Sequence, residues 1–323
     1  MTNILPPEVI RTYPLERISA ARRQDYAYDL FDRISDGSRS ALKEYSAEVA
    51  LSVFGTQESN FTQCEDSATL PIGYLTATGS QELLTGPRVR GFLKAIRDAE
   101  PAKTAIDIGT GSSALLAIAT ALFHPGCEVK AYEINQHASM SAQKIIELYG
   151  LGDIVEVINA DVFDVTPTDV DLVVSETFHR ALGQEQGALL LGRYATHART
   201  LLPAKAVMSA TVGHGGKVES AFRLIDIVDF RDAKHHVEGI LPVPPDSFGY
   251  QVHGRSSLLT EQGVVIVGPD DDEITKPGFL GNFDPKFKSI SKPKYVSFSY
   301  EHSAGMPSDT FEASVLTAEQ LTK

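Results

Sequence analysis

Between Lys103 and Val212, short apolar runs alternate with amphipathic stretches of helical length, which confines the chain to an α/β fold built on a parallel sheet. Strands are expected at 104–108, 128–132, 154–158, 171–175 and 206–212, with helices near 113–123, 136–149 and 185–201. The runs are continuous, as strands covered on both faces require. The flanks read differently. Helical periodicity marks 26–34 and 41–54, and the polar stretch 55–69 that follows is expected to form a loop or lid. Gly86-Pro87 then opens a helix through Arg88, Phe92 and Ile96, with proline in the first turn where no amide donor is needed. Beyond Gly213 the chain is rich in Val, Phe, Tyr and turn residues, and 263–267 and 295–300 alternate like strands. The expected organisation is a helical segment over 1–100, a ligand-binding α/β domain over 101–212 and a β-rich domain over 213–323.

Composition narrows the class of protein. A chain of 323 residues that is 42% hydrophobic can bury a full core without cross-links. Its two cysteines, Cys64 and Cys127, are too few for a disulfide framework and lack the spacing of a zinc or redox motif, so both are expected as reduced thiols. The opening residues carry prolines and charges where a signal peptide needs an apolar core. The longest apolar stretch, 114–123, is about half of the roughly 20 residues that cross a bilayer. A cytoplasmic protein with no membrane partner is expected. The formal net charge of −13 argues against nucleic acid, whose phosphates call for lysine and arginine, and suits a cationic or neutral small-molecule substrate. No metal is expected: His214, His235-His236 and His302 have no ligand spacing, and Asp270-Asp271-Asp272-Glu273 reads as a solvated turn.

The first strand runs into Ala105-Ile106-Asp107-Ile108-Gly109-Thr110-Gly111-Ser112-Ser113-Ala114, with glycines where the chain turns sharply from strand to helix. The same letters fit the G-x-G-x-x-A dinucleotide fingerprint, which leaves a nicotinamide enzyme open. Asp107 weighs against it, because a carboxylate there repels a pyrophosphate and attracts a cationic cofactor. Glu133 follows the second strand and can accept both hydroxyl protons of a ribose. Asp161 with Val162 follows the third. Each acid alone also reads as a surface or capping residue. Together, past the carboxyl ends of successive strands, they mark a ligand site.

This turn and the acids that follow resemble the first motifs of class I S-adenosylmethionine-dependent methyltransferases, in which an Asp/Glu-x-Gly-x-Gly loop lies beneath the methionine and ribose. The resemblance spans roughly residues 85 to 212. It implies a Rossmann-like class I methyltransferase sheet with a helical N-terminal segment and a β-rich C-terminal domain. It also implies S-adenosyl-L-methionine as cofactor, bound by Asp107, Gly109 and Gly111, with Glu133 on the ribose and Asp161 and Val162 flanking the adenine.

A sharper resemblance follows the fourth strand, in Val174-Ser175-Glu176-Thr177-Phe178-His179-Arg180-Ala181-Leu182-Gly183-Gln184-Glu185. The Ser-Glu start, its place in the chain and the separation of Glu176 from Glu185 resemble the double-glutamate loop of the arginine N-methyltransferases. Upstream, Glu82-Leu83-Leu84 followed by Arg88 and Arg90 is similar to that family's segment whose arginine pairs with the cofactor carboxylate; spacing leaves Arg88 and Arg90 both open. Two acids suit a guanidinium, which is planar, always protonated and presents its donors as a fork. Clamped by Glu176 and Glu185, it would concentrate positive charge on two nitrogens and leave the third more able to attack. The plainer reading of Glu185 is an acid favoured at the start of the next helix. His179 either orients Glu176 or takes a proton, or it packs.

The resemblance implies methyl transfer to a guanidino nitrogen. The expected acceptor is free L-arginine or an arginine-like metabolite of a biosynthetic pathway. The chain has no tryptophan for the Thr-His-Trp loop of protein-modifying members, and no recognisable Tyr-Phe-x-x-Tyr helix. A protein arginine methyltransferase and a natural-product methyltransferase with another N, O or C acceptor are the alternatives. The family also implies a homodimer, although the segment after Val212 is short for a dimerisation arm. A cofactor-binding module without catalysis is the non-enzymatic alternative, and the joint presence of Asp107, Glu133, Glu176 and Glu185 weighs against it.

Overall fold

The apolar runs at 104–108 and 171–175 become strands that pair on both edges and are buried for most of their length. A computed structural model describes residues 19–54, 87–177, 187–214, 217–218, 223–232, 234–243, 250–267, 278–282, 294–303 and 310–317. By its internal contacts the chain forms two compact units, one of Met1–Glu176 with His197–Leu202, the other of Thr177–Thr196 with Pro203–Lys323.

The first unit holds a five-stranded parallel sheet: β1 (Thr104–Ile108), β2 (Glu128–Glu133), β3 (Val155–Asn159), β4 (Val170–Ser175) and β5 (Ala198–Leu202), in the order β3-β2-β1-β4-β5. Ala105, Ile106 and Ile108 on β1 and Leu172, Val173 and Val174 on β4 are all buried, which is why these strands read as unbroken apolar runs. Strand order reverses between β1 and β4. In such sheets the crevice outside the carboxyl ends at that reversal is where ligands bind.

Among the described residues the helices of the first unit are α1 (Ala20–Ser35), α2 (Arg39–Phe54), α3 (Pro87–Asp98), α4 (Leu115–Phe123) and α5 (Gln136–Leu148), and the second unit holds α6 (Gly187–Arg193). Pro87 is the first residue of α3, where its missing amide costs nothing. Every residue of α4 from Leu115 to Leu122 is buried, so the apolar stretch at 114–123 is a core helix. Asn135 starts α5 by accepting the amides of His137 and Ala138 at 2.9 and 3.1 Å. Arg97 of α3 ties that helix to α1, donating to Ser35 Oγ at 2.7 Å and to Asp32 Oδ1 at 3.1 Å.

Two expectations give way. The fifth parallel strand is β5, inside the stretch read as a helix over 185–201, and the described helix there, α6, ends at Arg193. Gly192 weakens the helix near its end, and Leu201 and Leu202 are buried on a strand whose residues pair with β4, Val170 opposite Ala198. The run 206–212, expected as the fifth parallel strand, lies instead within β6 (Lys205–His214) and pairs antiparallel with β10 (Tyr250–Leu259). A short apolar run does not encode the direction of its partner, so pattern alone could not assign it.

The second unit is antiparallel. β6 and β10 are joined by β7 (Lys217–Val218), β8 (Arg223–Asp229), β11 (Val265–Val267) and β12 (Gly278–Asn282) in a six-stranded sheet. A separate three-stranded sheet contains β9 (Lys234–Val243), β13 (Lys294–Ser303) and β14 (Thr310–Thr317). Within this unit Arg231 donates to the carbonyl of Ala195 at 2.5 Å and through Nε to Glu261 at 3.1 Å. The polar stretch 55–69 lies outside the described residues. Among the described residues no helix is long and apolar enough to cross a membrane.

Candidate functional site

β1 delivers Asp107 and Ile108 to the carboxyl edge of the sheet, and the chain then turns into α4. Gly109 and Gly111 take φ angles of 74° and 63°, which side chains resist. A β-carbon on Gly111 would meet no atom within 4 Å, so open space lies over the turn at that point. The amides of Gly109 and Thr110 both donate to the carbonyl of Tyr132, at 2.9 and 3.0 Å, and pin the turn against the end of β2.

Glu133 is the last residue of β2. Its Oε2 accepts the amide of Gly111 at 2.9 Å and its Oε1 the amide of Asn135 at 2.8 Å. Burial raises its pKa above the ordinary carboxylate value, opposed by the amides of Asn135, Gly111 and Ile134. Asp107 is more isolated. It is 1% exposed, and neither carboxylate oxygen has a hydrogen-bond partner among the described residues. Desolvation pushes its pKa up to about 7; the Thr110 hydroxyl and the Ala117 amide temper the rise without reaching hydrogen-bond geometry, and the charge of Glu133 adds to it.

The turn after β3 sits beside Glu133, because the Ala160 amide and the Asn159 side chain both donate to the Glu133 carbonyl, at 3.2 and 2.8 Å. There Asp161 Oδ1 accepts the amide of Phe163 at 2.9 Å and caps a single 3-10 turn, Val162–Asp164, with Val162 buried. One oxygen of Asp161 therefore does a local capping job.

Across the strand reversal, Ile108 pairs with Ser175, whose hydroxyl donates to the Ile108 carbonyl at 3.1 Å. Glu176 follows directly. Arg88, one residue into α3, reaches it and forms an ion pair between Nη2 and Oε1. The two candidate arginines are thereby set apart. Arg88 is buried against Glu176, whereas Arg90 is exposed and its guanidinium lies beside Gly37, 3.5 Å from where a β-carbon there would stand. His179 and Glu185 fall outside the described residues.

The structure thus brings Asp107, Gly109 and Gly111 onto one turn with Glu133 of β2 bonded to it, and sets Glu176 at the neighbouring strand end with Arg88. It also adds residues that sequence reading passed over. Asn135 carried a usable signal, being an Asn directly before a helical run. Ser175, Asn159 and Tyr45 carried none; the Tyr45 hydroxyl bonds the carbonyl of Ser113 from 68 positions away. As a set the groups suit a ligand that brings positive charge toward Asp107 and hydroxyl donors toward Glu133.

No protein-family model matches the sequence, and no curated protein does. Solved structures match by shape. The crystal structure of PRMT6-SAH superposes with a TM-score of 0.55 at 11% identity over 73% of this chain and 98% of that one. A second structure of PRMT6 gives 0.53 at 11% identity over the same shares. The Trypanosoma brucei PRMT1 enzyme-prozyme heterotetrameric complex with AdoHcy gives 0.50 at 12% identity over 71% of this chain and 95% of that one. At such identities the shared property is the fold, a parallel α/β sheet with antiparallel strands following it.

Proposed function

We propose that this chain is an S-adenosylmethionine-dependent N-methyltransferase that modifies the guanidino group of arginine. Asp107 carries the cofactor reading. A carboxylate 1% exposed and without a hydrogen-bond partner among the described residues is stabilised by a cation and would oppose a pyrophosphate. In this reading Glu133, already oriented by the amides of Gly111 and Asn135, accepts the ribose hydroxyls with its remaining lone pairs. Gly109 and Gly111 let the methionine part lie against the backbone, and Asp161 and Val162 flank the adenine. Arg88 takes the cofactor carboxylate, a choice supported by its burial and by the exposure of Arg90. The likeness in fold to PRMT6-SAH and to the Trypanosoma brucei PRMT1 complex with AdoHcy supports the same cofactor and the same chemistry.

The cofactor supplies a methyl group on a positively charged sulfur, open to in-line displacement by a nitrogen. Glu176 holds the acceptor guanidinium and fixes which nitrogen is methylated, and by the sequence resemblance Glu185 is the second acid for that group. The pairing of Glu176 with the guanidinium of Arg88 supports a preference for this kind of partner. His179 orients Glu176 or takes the proton released by the methylated nitrogen. For the acceptor molecule we favour free L-arginine or an arginine-like metabolite, because the chain has no tryptophan for the loop of protein-modifying members. The fold likeness favours peptidyl arginine as the second reading.

Two substitutions test the clamp. Glu176→Gln and Glu185→Gln should each nearly abolish turnover while S-adenosylhomocysteine still raises the melting temperature. Full activity in both variants removes the guanidinium from the account. A melting temperature raised by NADH and not by S-adenosylhomocysteine removes the cofactor.

A further inference from the structure

Ala114 is the only non-glycine with a positive φ among the described residues, at φ 52° and ψ 28°. Residues with a β-carbon resist that left-handed conformation, so the surrounding structure must hold it. Ala114 is also the residue from which α4 starts. Its carbonyl accepts the amide of Ile118 at 2.9 Å, yet its side chain offers no cap, where helix starts favour Ser, Thr, Asp or Asn. No side chain caps the first turn of α4, so the backbone at Ala114 shapes how the chain enters it.

One contact from a distant helix bears on that backbone. The Ser113 carbonyl, part of the peptide whose orientation the φ of Ala114 sets, accepts the hydroxyl of Tyr45 at 2.5 Å. Tyr45 is fully buried in α2, stacked on Tyr149 with centroids 6.1 Å apart and edge-on to Phe31 at 5.1 Å. Glu48, on the same helix, accepts the hydroxyls of Tyr26, at 2.6 Å, and of Tyr149, so α2 is held by α1 and by the residue ending α5. Ser113 is 1% exposed and Ala114 is fully buried, so neither is placed to touch a ligand itself.

We propose that Tyr45 is a positioning residue for the turn Gly109 to Ala114: its hydroxyl keeps Ala114 left-handed, and with it the approach of the turn to a bound ligand. The proposal rests on the cofactor reading only for its binding readout. Tyr45→Phe removes the hydroxyl and keeps the ring, and Ala114→Gly removes the penalty that the hydroxyl offsets. The probe is S-adenosylhomocysteine, measured by calorimetry. Tyr45→Phe is expected to weaken its binding about tenfold, the worth of a buried hydrogen bond, with kcat at saturating cofactor nearly unchanged. Adding Ala114→Gly should recover most of the loss.

A second readout needs no ligand. In the free protein, hydrogen exchange at the Ile118 amide should speed up in Tyr45→Phe and slow again in the double variant. If the wild type does not bind S-adenosylhomocysteine, the cofactor reading fails while the exchange measurement still decides the role of Tyr45. Unchanged exchange at Ile118, or losses in Tyr45→Phe that Ala114→Gly does not relieve, reduces Tyr45 to a packing residue and overturns the proposal. Should Tyr45→Phe alone not fold, Ala114→Gly must restore folding, and failure to do so overturns it equally.

Discussion

Arg88 and Glu176 form a buried ion pair at the carboxyl edge of the parallel sheet, the arginine side chain 2% exposed and the glutamate 12%. Removing one member of such a pair leaves the other charged and poorly solvated. Arg88→Ala should therefore destabilise the fold by about 3–5 kcal/mol, and Glu176→Gln in the same chain should recover part of that. Urea unfolding of the two single variants and the double variant measures both effects. Additive losses would show that the pair does not act as a unit.

The contrast between buried Arg88 and exposed Arg90 tests the proposed role of Arg88 at the cofactor carboxylate. Arg88→Lys keeps a positive charge but loses the planar fork, and it should weaken S-adenosylhomocysteine binding by about tenfold or more. Arg90→Ala, at an exposed position, should change it by less than about twofold. Equal losses at the two positions would return the choice to where sequence spacing left it.

If Asp107 faces the cofactor's positive charge as proposed, cofactor affinity should depend on pH. The pKa of Asp107 lies near 7, well above its ordinary 3.8, so below neutrality it is largely protonated and offers a cation little. A bound cation lowers that pKa, so binding expels a proton in the acid range. Affinity should rise from pH 6 to pH 8, by about tenfold at most, and level off above that. Calorimetry in buffers of different ionisation enthalpy should register proton release near pH 6.5, and Asp107→Asn should abolish it. A flat profile in the wild type would mean that Asp107 does not sense the ligand.

Glu48 gives a stability prediction. Burial pushes its pKa up to about 7 against the Tyr149 and Tyr26 hydroxyls that favour its charged form; Glu44 raises it further and Arg33 lowers it. A raised carboxyl pKa means that the folded state holds a proton the unfolded state has lost. Stability is then greatest below about 4.5 and declines as pH rises toward 7. Asp107 acts in the same direction over an overlapping range. Glu48→Gln should flatten the fall in melting temperature between pH 5 and 7 without removing it, since Asp107 remains. An unaltered slope would locate the proton elsewhere.

Much of this was legible in the chain because the site is local in sequence. Asp107, Gly109 and Gly111 lie on one strand-to-helix turn, and Glu133 ends the next strand, so periodicity and turn residues suffice to place them. Legibility ends where distant partners decide. The strand Ala198–Leu202 was hidden behind an apolar helix that stops at Arg193, and the run 206–212 took antiparallel partners that no local pattern announces. Spacing could not choose between Arg88 and Arg90 because both belong to one helix; burial against Glu176 sets them apart. The contact of Tyr45 with Ser113 joins residues that only the packing of α2 brings together.

The most direct measurement is mass spectrometry after the protein is incubated with isotopically labelled S-adenosylmethionine and, in parallel, free L-arginine and a Gly-Arg-rich peptide. The account predicts label on a guanidino nitrogen, in free arginine by the favoured reading and in the peptide by the second. Label on neither acceptor, with S-adenosylhomocysteine bound, would contradict arginine methylation and leave only the cofactor site standing.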